Sequence, residues 1–333
     1  MPSNRPGSLE LVCPAGTPRA LRAAIDAGAD TVYVGFRDAT NARNFPGLNF
    51  GREELRDGIA YAHDRGRRVY LAVNTYPVAG NPQPWESAVN DAAALAVDAI
   101  IVADIGLLDY CRRNHPDLRR HLSVQASASN AEAIAFYHRA FGVKRVVLPR
   151  VLTIAEIAAL NQHIPVETEV FAFGGLCVMA EGRCSLSSYV TGHSPNTDGV
   201  CSPASHVRYD KRGDALVSRL GGHIINVFEH GEAAGYPTLC KGRFRAGGRA
   251  CYLFEEPGSL NLITMLPELA AAGVSALKIE GRQRGCAYVA RVVGAFREAV
   301  DAYHRNEPIP AVDLHAVTEG QRETSGAYRA GWR

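Results

Sequence analysis

The chain has 333 residues, of which 47% are hydrophobic and 21% charged. That balance excludes a disordered chain and suits one large α/β barrel or two medium domains. Lys and Arg number 36 against 34 Asp and Glu, a formal charge of +2, so neither a nucleic-acid partner nor an anionic membrane surface is expected.

Strand and helix signals alternate from the start. Residues 9–13 (LELVC) read as a short buried strand, and Thr17 is placed to cap a helix that opens at Pro18 and stops at Gly28. Strands follow at 31–36, 68–74, 99–104, 121–127, 144–150 and 166–173, with helices at 53–65, 85–97, 106–114, 131–140 and 154–162 between them. Each strand is short and almost wholly apolar, as one covered on both faces must be. An eighth strand at 276–280 (ALKIE) and a helix over 287–304 complete the count.

The expected fold is therefore α/β, a TIM-like (β/α)8 barrel with a large cysteine-bearing insertion between strands 7 and 8. Residues 1–173 form the first seven units, 174–275 the insertion, 276–305 the closing strand and helix, and 306–333 a loose polar tail. An open doubly wound sheet is the alternative, but no G-x-G-x-x-G opens a helix. No eighteen-residue apolar run occurs, so no membrane span is expected, and the polar first ten residues do not read as a secretory leader. The expected compartment is the reducing cytoplasm.

In such a barrel the strands deliver chemistry at their C-terminal ends. Arg43, Asn74, Gln125, Arg150, Glu280 and Arg282 fall there and are the candidate substrate-binding residues. Arginine forks match the carboxylate of an anionic small molecule.

Eight cysteines are present. Four of them, Cys177, Cys184, Cys201 and Cys240, follow the spacing C-x6-C-x16-C-x38-C. Four thiolates suit a tetrahedral zinc or an iron–sulfur cluster, and a gap of six residues is wider than a zinc knuckle. Cys251 competes with Cys240 for the fourth place, and spacing does not decide between them. Cys13, Cys111 and Cys286 stand apart, and no zincin, P-loop or nucleophile-elbow motif occurs.

The blocks FGGLCVMAEGRCSLSSYVTGHSPNTDGVCSPA, AGYPTLCKGRF, FEEPGSLN and KIEGRQRGCAYVARV resemble the collagenase-like peptidase family U32, and within it the UbiU branch that acts in ubiquinone biosynthesis. The resemblance implies a [4Fe–4S] cluster on Cys177, Cys184, Cys201 and Cys240, with Cys251 left out. It implies O2-independent hydroxylation of a prenylated aromatic ring, with a UbiV-like paralogue as heterodimer partner and a UbiT-like lipid carrier. Other members hydroxylate RNA bases, and prephenate is associated with that chemistry as a donor. No protease constellation supports the peptidase label. One departure is Gly285-Cys286, where that branch commonly has Ser-Pro.

Overall fold

The computed structural model describes residues 9–330. Seven parallel strands lead the chain: β1 (Glu10–Pro14), β2 (Thr31–Gly35), β3 (Arg68–Val73), β4 (Ala99–Val102), β5 (Arg120–Leu122), β6 (Arg145–Val147) and β7 (Glu167–Gly175). The helices α1 (Pro18–Asp26), α2 (Arg52–His63), α3 (Gln83–Ala94), α4 (Ile105–Asn114), α5 (Ala131–Phe141) and α6 (Ile154–Asn161) alternate with them. Side-chain caps start several of these helices. Thr17 accepts from the Ala20 N–H as its sequence position suggests, Asp104 and Asn130 do the same for α4 and α5, and Thr153 forms a capping box with Glu156.

Beyond β7 the rhythm breaks, as expected. The excursion carries α7 (Leu186–Thr191), an antiparallel sheet of β8 (Val207–Arg212), β9 (Ala215–Leu220) and β10 (His223–Phe228), and a hairpin of β11 (Arg243–Ala246) and β12 (Arg249–Tyr252). It is shorter than the sequence suggests. Strand β13 (Ser259–Asn261) returns to pair antiparallel with β7, and α8 (Leu266–Ala271) packs against the barrel in the place of the helix that should follow β7. The apolar spacing of Leu262, Leu266 and Leu269 serves the barrel, although a 3-10 turn at Ile263–Met265 interrupts its period.

Strand β14 (Ala276–Ile279) then pairs parallel with both β7 and β1 and closes the eight-stranded barrel. The long helix α9 (Cys286–His304) buries Val289, Val292, Val293, Phe296 and Val300 against it. The segment from 306 onward is not loose where it is described. Strand β15 (Glu323–Thr324) pairs with β13, Leu314 is fully buried, and the Tyr328 hydroxyl, from α10 (Ala327–Ala330), donates to the Phe171 carbonyl at 3.0 Å. Isolated anchors set among polar residues leave no periodic signal, which is why the sequence reads as a tail. Residues 331–333 lie outside the described part.

Two apolar layers result. The larger lies between strands and helices; the smaller lies inside the barrel and holds Val12, Tyr33, Tyr70, Ala72, Ala99, Ile101 and Ala276. Below it the barrel floor is ionic. Arg145 donates to Glu10 at 2.6 Å, to Glu167 at 2.8 Å and to Glu169 at 3.3 Å, and Lys278 donates to Glu169 at 2.6 Å. Buried charges persist only when paired and hydrogen-bonded in this way.

Candidate functional site

The C-terminal strand ends surround a cavity of about 640 Å³, counting the solvent at its opening, a size that suits a small ligand. All six predicted binding residues line it: Arg43, Asn74, Gln125, Arg150, Glu280 and Arg282. Tyr33, Phe171, Glu181 and Lys278 line it too and were not singled out from sequence. Lys278 stands two residues before Glu280 in the K-I-E-G-R block, and Glu181 lies between Cys177 and Cys184, so both carried a signal of position.

The side chains divide by what they hold. Asn74 accepts from the Ala42 N–H at 2.9 Å and donates to Ser123 at 3.1 Å, tying the β2 loop to the β5 end. Arg282 is buried and donates to the Asn41 side chain at 2.9 Å and to the Ala42 carbonyl. Gly35 allows this, because a Cβ there would meet the Asn41 side chain at 2.4 Å and the Arg282 guanidinium at 2.5 Å. Burial brings the Arg282 guanidinium down to about 10. Both residues thus shape the mouth from behind.

Arg150 donates to Glu181 at 2.6 Å and lies 3.5 Å over the Phe171 ring. Its Nε and Glu181 Oε2 are buried with no protein partner. Glu280 accepts from the Gly175 N–H at 3.2 Å and faces Arg43 Nε at 3.6 Å. Burial alone would raise the Glu280 carboxyl, but Arg43 and Arg150 hold it below the usual range. Lys278 sits 3.8 Å over the Tyr33 ring. Burial lowers its amine and the Glu169 carboxylate opposes that shift. Four cationic side chains against two carboxylates leave the cavity net positive, so an anionic group is favoured there.

The excursion sits on this mouth. The Arg43 N–H donates to the Gly199 carbonyl at 2.8 Å, and the Ser127 hydroxyl donates to the Glu181 carbonyl. Gly182 rests against the Gln125 carbonyl, where a Cβ would lie 1.8 Å from the oxygen. These contacts bring the cysteines in. Cys201 lies within electrostatic range of Cys177, Cys184 and Cys240, so the four thiols form one set with Cys201 at its centre. All four are free and partly buried. Burial pushes Cys177 up to about 12 and Cys240 to about 11, and Cys184 is raised by the same cause. Arg150 beside Cys177, Lys241 beside Cys240 and Arg43 beside Cys201 supply the positive charge that thiolates would need.

Among the described residues no three His, Cys, Asp or Glu side chains are close enough to share one metal ion. The donor set is entirely soft sulfur and more widely spread, which fits an iron–sulfur cube better than a single zinc. Cys251 is exposed on β12, opposite Phe244 in the hairpin. Cys13 and Cys111 are buried, with thiols raised by burial, as packing residues are. His193 and His206 stack edge to face, 5.1 Å between centroids.

Peptidase family U32 matches residues 16–331. The chain belongs to that family. An uncharacterized protease of Methanocaldococcus jannaschii is 35% identical over 88% of this chain and 65% of its own length. The tRNA hydroxylation protein P1 of Bacillus subtilis is 31% identical over 88% of this chain and 63% of its own. The tRNA hydroxylation protein P of Escherichia coli is 32% identical over 90% and 69%. The chain thus spans about two-thirds of the length of these relatives. A solved U32 peptidase is 20% identical over 50% of this chain and 70% of its own, with a TM-score of 0.43. No helix among the described residues is long and apolar enough to cross a membrane.

Proposed function

We propose that this chain is an O2-independent hydroxylation protein acting on an aromatic ring presented at the barrel mouth, with Cys177, Cys184, Cys201 and Cys240 as ligands of a [4Fe–4S] cluster. The observation that carries the reading is the joint between the two halves of the site. The segment holding Arg43 lines the cavity and is hydrogen-bonded to the loop that bears Cys201. Such a cluster, when bound, supplies the electron transfer that side chains alone lack. The chain's own groups do the rest. Arg43 and Arg150 hold an anionic group, the faces of Tyr33 and Phe171 give the cavity apolar walls, and the excursion covers the mouth on one side.

An RNA base is the favoured ring. Relatives at 31% and 32% identity are named tRNA hydroxylation proteins, and another, 28% identical over 88% of this chain, is a 23S rRNA 5-hydroxycytidine synthase of Escherichia coli. The excursion adds a surface of the right chemistry. Between 204 and 254 it carries eight Lys or Arg against four Asp or Glu. Arg208, Lys211, Arg212, Arg245 and Arg249 are exposed there, beside the exposed rings of Tyr209, Tyr236 and Phe254. Cationic and aromatic side chains together hold single-stranded nucleic acid by charge and stacking. This local patch runs against the expectation drawn from the net charge.

The second reading is the ring of a ubiquinone precursor, handled with a UbiV-like partner and a UbiT-like carrier. The cysteine and K-I-E-G-R blocks quoted above favour it. Anaerobic growth of a deletion strain separates the two. Loss of a hydroxylated nucleoside from total RNA, with quinone unchanged, supports the RNA reading; loss of quinone alone overturns it. Iron and sulfide assays on the chain purified without air test the cluster. About four irons per chain are expected, lost with any of the four Cys→Ala variants and kept in Cys251→Ala. Stoichiometric zinc without sulfide would overturn the redox reading.

A further inference from the structure

We infer that Arg43 is a counter-ion shared by the mouth cavity and the sulfur set, and that it sets the reduction potential of the cluster held there. The inference rests on the proposal that the four thiols hold that cluster.

The backbone places Arg43 unusually. Its φ is 73°, in the left-handed region that long side chains avoid. Neighbours hold it there. Its N–H donates to the Gly199 carbonyl at 2.8 Å, and its carbonyl accepts from Asn49 Nδ2 at 3.1 Å. The preceding residue, Ala42, is fixed on both sides by Asn74 and Arg282. Gly199 presses on this segment so closely that a Cβ would meet Ala42 Cα at 2.8 Å. A residue kept in a costly conformation by this many contacts has its side chain aimed rather than free.

The aim is at two charges. Nε stands 3.6 Å from Glu280 Oε1 in the cavity, and the guanidinium reaches the Cys201 sulfur with Cys177 beyond it. The other two mouth arginines are committed elsewhere, Arg150 to Glu181 and Arg282 to Asn41 and Ala42. Arg43 is 31% exposed, partly dry but still open to the cavity.

Reduction adds one negative charge to a cluster. A guanidinium hydrogen-bonded to a ligand sulfur favours that added charge and raises the potential. Glu280 works against it by neutralising part of the same guanidinium. Arg43 is therefore a positioning residue with a definite electrostatic sign, and Glu280 carries the opposite one.

The test uses the full chain purified without air, as wild type, Arg43→Gln, Arg43→Lys and Glu280→Gln. Iron, sulfide and melting temperature are measured first. Each protein is then titrated with dithionite in the presence of mediators and followed by electron paramagnetic resonance. Unchanged iron and sulfide are expected throughout. The potential should fall in Arg43→Gln, stay near wild type in Arg43→Lys and rise in Glu280→Gln. A purely structural Arg43 would instead lose iron or melting temperature in both Arg43 variants, and that result overturns the inference. So do full iron content and an unmoved potential in Arg43→Gln and Glu280→Gln. A wild-type chain without iron and sulfide sinks the underlying cluster proposal, and this assignment with it, a failure distinct from the other two.

Discussion

Glu10 and Arg145 stand 135 positions apart in the chain and meet on the floor of the barrel, Oε2 accepting from Nη2 at 2.6 Å. Arg145 is 2% exposed and is also shared by Glu167 and Glu169. Its removal leaves buried carboxylates without compensation. Arg145→Met is expected to cost about 3–5 kcal/mol, read as a lowered midpoint in urea unfolding. Adding Glu10→Gln to that variant should return part of the loss.

The same pair gives a pH dependence. Burial alone would raise the Glu10 carboxyl, but Arg145 draws it down from 4.5 to about 2. A carboxyl lowered on folding stabilises fully above its unfolded value and loses that contribution as pH falls through the folded one. Melting temperature should therefore decline as pH drops from about 4.5 toward 2 through this residue. Glu10→Gln should flatten that window. An identical acid profile in the variant would show that other groups govern it.

Gly182 is both left-handed, φ 83°, and in contact, with a Cβ position 1.8 Å from the Gln125 carbonyl oxygen. Gly192 shares the backbone conformation, φ 74°, yet meets nothing within 4 Å. Ala at either position pays the conformational cost of about 1 kcal/mol or more. Only Gly182→Ala should also push the Cys184 loop off the mouth. The expected outcome is a larger fall in melting temperature for Gly182→Ala and a loss of bound iron confined to it.

Asn74 is a bridge with two distinct halves. Asn74→Ala leaves the Ala42 N–H without its acceptor, at a cost of about 1–3 kcal/mol. Asn74→Asp keeps that acceptor and gives up the donor to Ser123. The Asp variant should melt above the Ala variant, and equal melting points would place the function of Asn74 outside this bridge.

If the excursion binds RNA, its affinity must be salt-dependent. Charge reversal at Arg208, Lys211 and Arg212 should weaken binding of a single-stranded RNA by tenfold or more, by the scale of roughly one phosphate contact per cation. Fluorescence anisotropy at two salt concentrations reads both the affinity and the slope. Wild-type binding with no change in the variant would move the interface elsewhere on the molecule.

The barrel was legible because its signals are local. A strand covered on both faces reads as a short apolar run, and a Thr or Asp before a helix reads as a cap. Thr17, Val32 and Ile100 each show the pattern in a few neighbouring residues. The six mouth residues were found by the same rule, since strand ends are fixed once strands are. Glu181 and Phe171 were missed because their place at the mouth depends on a fold-back of the excursion that no local pattern encodes. The α8 segment was assigned to the excursion because it is a six-residue helix with few periods to read. The packed segment after 306 was missed for the opposite reason, its anchors Leu314 and Tyr328 being single residues far apart. The interior salt links were invisible because Glu10, Arg145, Glu169 and Lys278 look, one by one, like strand-edge polars.

The closing strand β14 lies between β7 and β1 but follows the whole excursion in the chain. On the ribosome all four thiols therefore emerge while the barrel still has an open seam. Whatever inorganic cargo they take up can reach them before the last stave is set, and docking of that stave at Glu280 then carries the carboxylate into place beside Arg43. Maturation and folding in this chain share a single final event.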